Sequence, residues 1–547
     1  MNKYYYFKSL YKGELLKRIQ YLIRKKRGYY KKKKYPVFNG TLVSLNLIDK
    51  DLLKGLNPNL FIKKDLIYDV LNNPIKVDEL DFKDNNKNIW IYEDITRFHD
   101  VKNEWELNRL QFLLPLASLA YINNDSIYSN LVLDTINKWQ ISNNYNKGVN
   151  WNSNLEVAIR SISIYLCFEL LNGKADYDFS KILYEHGTHL YDEVNYSKSC
   201  IPNNHVFGEA TALVLLGRAL NINKWVNRGI NLINKFNYLL SDEGVSIEGS
   251  FSYQFFLTQM FVLLSTLNVL SFNQEKKITS SLTFLKTVTK PNGELVNFGD
   301  NDEGYYFNFF WNKEKNLSIK YLNLVNNKID FNSIEKLIEF NIDDYKVLNN
   351  EKIFLLFNSQ KEINHSHSDN LSIELSLDGK DILTDSGTES YNKSKETRRY
   401  FRSSLAHNTI SFNNKDHNMQ IGSFRWYKFS KASFNEGLSG TLIDKDKNQL
   451  KRTLSLEPTF KIIDEIKSKS CYVLRFHFAE ALEVEKVNDY TYKLDNEYLF
   501  RISGSNLELT LKFSFISNKY NDVNCRYCLE ISSQSNNKIE TEITKIN

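Results

Sequence analysis

Proline and glycine are scarce, at 7 and 21 in 547 residues. That scarcity argues against a disordered or linker-rich chain. The five cysteines, Cys167, Cys200, Cys471, Cys525 and Cys528, are too few and too unevenly placed for a disulfide framework. Cys525-Arg526-Tyr527-Cys528 reads as two structural cysteines in a strand-like tail. No apolar run reaches the ~20 residues of a transmembrane helix. One stretch without acidic residues is strongly basic: Arg24, Lys25, Lys26, Arg27 and Lys31 to Lys34 put eight positive charges together. The formal net charge is +6, so the rest of the chain carries 6 − 8 = −2. A nearly neutral body does not suggest nucleic acid as the main partner.

What is present is length and aromatic material, with 33 Tyr and 35 Phe. A chain of this size exceeds a single core, so two or more domains are expected. From about Asn103 to Val288 the apolar spacing is helical, in segments near 125–140, 154–172, 178–195, 204–220, 223–240, 250–269 and 276–288. Short polar loops such as Asn123-Asn124-Asp125 join them, which implies antiparallel neighbours in a bundle, a solenoid or an α/α toroid. After about Leu348 the pattern alternates with period two, as in Ile353 to Phe357, Tyr472 to Phe478 and Leu507 to Phe513. Strands without intervening helices indicate an antiparallel β-sandwich. The expected organisation is α+β and multidomain: a lead-in over 1–90, a helical domain over 91–345 and a sandwich over 346–547.

Polar clusters interrupt both halves. Asn364-His365-Ser366-His367-Ser368-Asp369 precedes an alternating strand from Leu371 to Leu377. Asp378-Gly379 then supplies a tight turn, and this hairpin sets Asp385 opposite Ser372. Ser404-Leu405-Ala406-His407-Asn408-Thr409 adds a further histidine. Imidazoles and a carboxylate suit zinc, and the same residues also suit plain structural roles. In the helical half, Pro202-Asn203-Asn204-His205 leads into a helix, where Asn204 fits either an N-cap or a ligand group. Glu248 to Tyr253 and Trp151 to Arg160 repeat this theme of polar groups at a helix mouth. Asn297 to Gly304 is a carboxylate-dense turn without EF-hand spacing.

Taken in order, these stretches resemble the heparinase II/III family of polysaccharide lyases and its alginate-lyase-like relatives. The matching segments are Trp151 to Arg160, Asn203 to Glu209, Glu248 to Tyr253, Asn297 to Asp302, His365 to Asp369, Asp385 to Thr388, Tyr400 to Ser403 and Ala406 to Thr409. The chain departs from the family at Ser386, where proline is common. The resemblance implies an incomplete α/α toroid followed by an antiparallel β-sandwich. It implies Tyr253 as the acid/base, Asn204 and His205 near a substrate carboxylate with His205 a second base, and His365 as the histidine contributed by the β half. Substrate contacts are implied at Trp151, Glu156, Arg160, Glu209, Glu248 and Arg402. One structural zinc is implied on His367, Asp385 and His407, in a closed ligand set.

The implied chemistry is β-elimination from an anionic, uronate-containing polysaccharide. The C5 proton becomes removable when donors stabilise the carboxylate as charge delocalises onto it. A tyrosine of lowered pKa takes the proton and returns one to the leaving oxygen. Two rivals remain: an α/α-toroid glycoside hydrolase using carboxylates such as Glu209, Glu248, Asp300 or Asp302, and a non-catalytic glycan-binding protein. Met1 to Lys8 lacks the apolar core and cleavage site of a signal peptide. The expectation is therefore a cytoplasmic chain, with the periplasm or cell envelope, where relatives work, as the alternative. Phe7, Leu10, Tyr11, Leu15, Ile19, Leu22 and Ile23 fall at helical spacing before the basic run. Residues 1–34 thus fit a membrane-surface helix or an amphipathic helix docked on the body. The oligomeric state is left open.

Overall fold

The computed structural model describes residues 3–61, 67–68, 74–77, 80–95, 98, 100–171, 178–311, 315–360 and 364–546. Parts of the 1–90 lead-in therefore lie outside the described residues. The helical half is built from hairpins in which a fully buried helix is followed by a half-buried one. Leu113–Asn123, Asn154–Leu170, Asn204–Ala219 and Phe251–Thr266 are buried along nearly their whole lengths. Each packs on the helix that follows it: Ser126–Ser142, Phe179–Cys200, Asn223–Phe236 and Phe272–Thr287. The buried helices also pack on one another in sequence, which makes them the inner layer of an incomplete toroid. Residue chemistry accounts for the division. A helix apolar on every side must be buried, whereas an amphipathic one presents a polar face to water. Leu113–Asn123 escapes a periodicity reading for that reason, since Leu-Leu-Pro-Leu-Ala-Ser-Leu-Ala has no polar stripe.

Antiparallel hairpins place the N-termini of all inner helices at one end of the toroid. The loops carrying Trp151 to Asn154, Asn203 to His205 and Glu248 to Tyr253 therefore converge there.

The second half is antiparallel β structure. A five-stranded sheet runs in chain order from Glu339–Asn341 to Lys380–Leu383. Eight- and four-stranded sheets follow, and their inner faces share a core that includes Leu375, Leu450, Phe476, Phe500 and Ile531. A smaller aromatic cluster of Phe251, Phe284, Phe298, Tyr345 and Phe354 joins the last inner hairpin to the first sheet. The turn at Asp378-Gly379 forms as expected, with φ of 50° and 80°. Ser376 pairs with Asp381 but Leu375 pairs with Leu383, so a bulge shifts the register by one residue. The simple alignment of Asp385 with Ser372 does not hold, because such a bulge rotates the strand end beyond it.

The N-terminal segment is docked. Tyr11 Oη donates to Asn364 Oδ1 at 2.9 Å, and Arg425 Nη2 donates to both oxygens of buried Glu14 at 2.8 and 2.9 Å. Tyr21 packs with Tyr30, Trp90 and Tyr196. Residues 1–34 are thus no detachable tail, since removing them would strip partners from the loop that carries His365.

Candidate active site

Tyr253 lies in the first turn of Phe251–Thr266, where Ser250 caps the helix by accepting from the Tyr253 N–H. Its ring stacks on the His365 imidazole, with centroids 3.6 Å apart and planes 12° from parallel. The Tyr253 and Tyr391 hydroxyls are hydrogen-bonded at 3.0 Å. Burial pushes the Tyr253 phenol well above its ordinary pKa, and Asp302, Asp300 and Glu248 add to the effect. The expectation of a lowered tyrosine pKa is therefore overturned. The helix terminus and the imidazole are outweighed by desolvation and three carboxylates, and the resting group is a phenol.

His365 Nδ1 donates to Asp300 Oδ2 at 3.0 Å, and its Nε2 stands 3.9 Å from Glu248 Oε2. Asp300 ties several groups together. Its Oδ1 accepts from His367 Nε2 at 3.0 Å, and Arg398 donates to both of its oxygens. Burial alone would raise its pKa, but Arg398 and the two histidines hold it well below the usual carboxylate range. Two backbone bonds fix the surroundings: the Asp300 N–H donates to the His365 carbonyl and the His365 N–H to the Glu248 carbonyl.

Asn204 is fully buried, and Asn203 takes the capping role by accepting from the His205 N–H at 3.1 Å. The Asn204 N–H donates to Glu248 Oε1 at 2.8 Å. Its amide lies near enough to Glu248 to lower that carboxyl's pKa, although burial leaves the group raised overall. Neither Asn204 Nδ2 nor Oδ1 completes a hydrogen bond of ordinary geometry. A buried unpaired amide costs about 1–3 kcal/mol, which makes it a mark of a group kept for a ligand. His205, next in sequence, is part-exposed. Desolvation lowers its pKa to about 4, so its imidazole is neutral at pH 7.

The remaining residues of the implied site divide. Glu156 forms a two-oxygen ion pair with Arg109 at 2.6 and 2.9 Å, and its charge is felt at His205. Trp151 is instead a core residue, packed edge-on against Tyr145 and His189. Arg160 lies over Trp139 and donates to His186 Nε2, Asn108 O and Asn150 O. Glu209 is sealed between Ser197 and Asn154, and burial raises its pKa to about 8. Arg402 is fully buried over the Trp426 ring, with its pKa lowered to about 9 by burial and Arg398. Trp151, Arg160, Glu209 and Arg402 are thus enclosed by protein, their side chains taken up by buried neighbours. Sequence reasoning missed Tyr391 and Arg398 and read Asp300 only as one acid among several in a turn. The His365-Ser366-His367 spacing was the available clue to a shared carboxylate partner.

His367, Asp385 and His407 do come together, all buried, with one ligand atom from each lying within 4.8 Å of the others. Asp369 turns away and accepts from Asn358 Nδ2. The hydrogen bonds define what this trio offers. His367 donates its Nε2–H to Asp300, which leaves Nδ1 as a lone pair without a partner. His407 donates Nε2–H to the Phe401 carbonyl at 3.0 Å and turns Nδ1 to Asp385 Oδ2 at 2.8 Å. Burial alone would lower the His407 pKa, but Asp385 raises it, so an imidazolium donating to both Phe401 and Asp385 satisfies that pair. Of the trio only His367 Nδ1 is then left as an unpartnered lone pair. With His407 deprotonated, the three would form a donor set that suits a metal. Carbonyl and carboxylate partners behind metal-binding histidines are the usual orienting groups. Asp385 also lines an open cleft of about 660 Å³.

The architecture and this site define a class: an α/α toroid whose inner-helix mouths meet loops of a β-sandwich. Residues 339–526 match the family described as heparinase II/III-like, C-terminal, which bears out the resemblance for the motifs from His365 to Thr409. In fold the whole chain is similar to heparinase III, at 18% identity and a TM-score of 0.65, covering 99% of this chain and 93% of that one. It is also similar to heparan sulfate lyase HepC from Pedobacter heparinus, at 15% identity and a TM-score of 0.54, covering 95% and 86%. A third similarity is to chondroitin AC lyase from Streptomyces coelicolor A3, at 7% identity and a TM-score of 0.50, covering 81% and 75%. No curated protein matches the chain in sequence.

Proposed function

We propose that this protein is a polysaccharide lyase that cleaves a uronic-acid-containing glycan by β-elimination. The observation that carries the reading is the buried Asn204 amide, unpaired on both polar atoms. It stands at the inner-helix mouths, linked through Glu248 to His365 and the Tyr253 ring stacked on it. In this reading the Asn204 amide donates to the substrate carboxylate, which takes up charge as the C5 proton leaves. Inner-helix N-termini add positive potential at the same end. His205, neutral and part-exposed, takes the C5 proton, and a bound uronate carboxylate beside it raises its basicity. Tyr253, a phenol at rest, protonates the C4 oxygen as the glycosidic bond breaks. His365, held by Asp300, fixes the Tyr253 ring by stacking. The solved structures with this fold include enzymes named for heparan sulfate and chondroitin, which supports an anionic glycan as substrate.

The hydrolase rival needs two available carboxyl groups. Asp300 is saturated by Arg398, His365 and His367 and Glu209 is sealed, so that chemistry would fall to Glu248 and Asp302, the second ion-paired with Lys102 at 3.5 Å. Products separate the two: a panel of uronate polysaccharides should yield a conjugated double bond absorbing in the ultraviolet. New reducing ends without that absorbance would overturn the lyase reading.

The same reading assigns one zinc ion to His367, Asp385 and His407. Bound there, zinc would supply a cross-link holding the loop that presents His365. Purified protein should contain about one equivalent of zinc. His407→Ala should lose it and melt at a lower temperature, with the sandwich half destabilised first. A folded wild-type protein free of metal, with unchanged melting on chelation, would remove zinc from the account.

A further inference from the structure

The helix Glu14–Lys26 docks on the body by its polar side. Glu14 is buried against Arg425 and Arg18, and Tyr21 reaches Glu193 at 3.1 Å. These residues lie on one side of the helix at the 3.6-residue period. The opposite side carries Leu15, Leu16, Ile19, Leu22 and Ile23, and all five are exposed, Leu16 and Leu22 at 63% and 58%. An amphipathic helix on a water-soluble body ordinarily turns its apolar stripe inward. Here the stripe faces out, and contiguous exposed apolar surface marks a docking site.

The charge beside the stripe says what it docks on. Lys26, Arg27, Lys31, Lys32 and Lys34 are exposed around the end of the helix, in a run of eight cations without an acidic residue. Between the helix and the following 3₁₀ turn, Leu22, Lys25, Lys26, Gly28, Lys31 and Tyr92 line a hollow, with Lys25 and Lys31 Nζ lying 5.3 and 5.4 Å from the Tyr92 ring. Apolar side chains flanked by lysines and a tyrosine suit the boundary between acyl chains and phosphate headgroups. A second copy of this chain would bring eight cations against eight, which disfavours self-association through the same face. A soluble polyanion would use the cations and leave the leucines without a role.

We propose that residues 14–34 form an interfacial docking surface for an anionic phospholipid bilayer, holding the enzyme on a membrane with the toroid mouth in solution. Because Tyr11 bonds Asn364 and Glu14 bonds Arg425, the docking helix is also rigidly tied to the loops of the candidate site.

The test is sedimentation of the full chain with vesicles of equal parts phosphatidylcholine and phosphatidylglycerol, against phosphatidylcholine alone. Wild type should pellet with the anionic vesicles only and be released at ~1 M salt, where the Debye length falls to about 3 Å. Each cation near the surface contributes about fivefold in partitioning, so reversing Lys26, Arg27 and Lys31 to Glu should weaken binding by more than about a hundredfold. Leu16→Glu with Ile19→Glu should abolish binding while the melting temperature stays at the wild-type value, since neither side chain is buried. Failure of wild type to pellet with anionic vesicles would overturn the proposal, as would binding unaffected by both variants. A lipid-free dimer dispersed by Leu16→Glu with Ile19→Glu would assign the face to a second copy instead.

Discussion

Tyr253→Phe should lower turnover by ~10²–10⁴-fold, the usual cost of removing a general acid or base, and by more if one group serves both proton transfers. The substitution keeps the ring that stacks on His365, so packing is conserved. What it removes is the hydroxyl and its bond to Tyr391, leaving one buried phenol without that partner at a cost of about 1 kcal/mol. The melting temperature should fall by a few degrees at most while activity nearly vanishes. Tyr391→Phe is the control, because it breaks the same hydrogen bond and leaves the Tyr253 hydroxyl in place. A much smaller loss there would separate the chemistry from the contact. Near-normal elimination by folded Tyr253→Phe would assign the acid role to another group.

Asn204→Ala should behave differently. Losing a donor aimed at developing negative charge costs ~10²–10³-fold in turnover, as for an oxyanion-hole residue. Stability should change little, because the amide completes no hydrogen bond of ordinary geometry while its removal leaves only a small cavity beside Glu248. The split between turnover and stability is the diagnostic feature. A residue kept only for structure loses stability with its side chain, whereas a residue kept for a ligand loses turnover alone. A marked fall in melting temperature with unchanged kcat would make Asn204 a structural amide and remove the observation on which the lyase reading rests.

How far the chain is readable follows from what each signal measures. Period-two and period-3.6 patterns made the outer helices and the sandwich strands legible, and the inner segments near 154–172, 204–220 and 250–269 with them. Leu113–Asn123, apolar all round, was not placed as a separate segment. The trio of His367, Asp385 and His407 was named by the family resemblance. Residue types alone pointed to a cluster of histidines and a carboxylate without selecting Asp385, and folding does bring the three together. Helix mouths were legible as places, but the direction of each side chain was not. Asn204 and Glu209 share a helix, yet five residues turn Glu209 about 140° away, into Ser197 and Asn154. Trp151 and Arg160 follow the same logic, since a polar or aromatic group near a helix start faces the cleft or the neighbouring hairpin according to phase alone. Tyr391 stands among 33 tyrosines with no motif around it, and only the tertiary contact with Tyr253 marks it. The tyrosine pKa was misjudged because proximity to imidazoles was weighed without the desolvation that burial imposes.

The carboxylate of Asp300 belongs to the chain segment that closes the helical half, where the Ser250 hydroxyl donates to its carbonyl. The three side chains it holds, His365, His367 and Arg398, all come from the β half. It therefore acts as a bolt across the hinge between the two halves. Swinging them apart would separate a fully buried ion pair together with both histidine hydrogen bonds at the same carboxylate. The bolt favours one arrangement of the two halves, so whatever enters between them must already fit that arrangement.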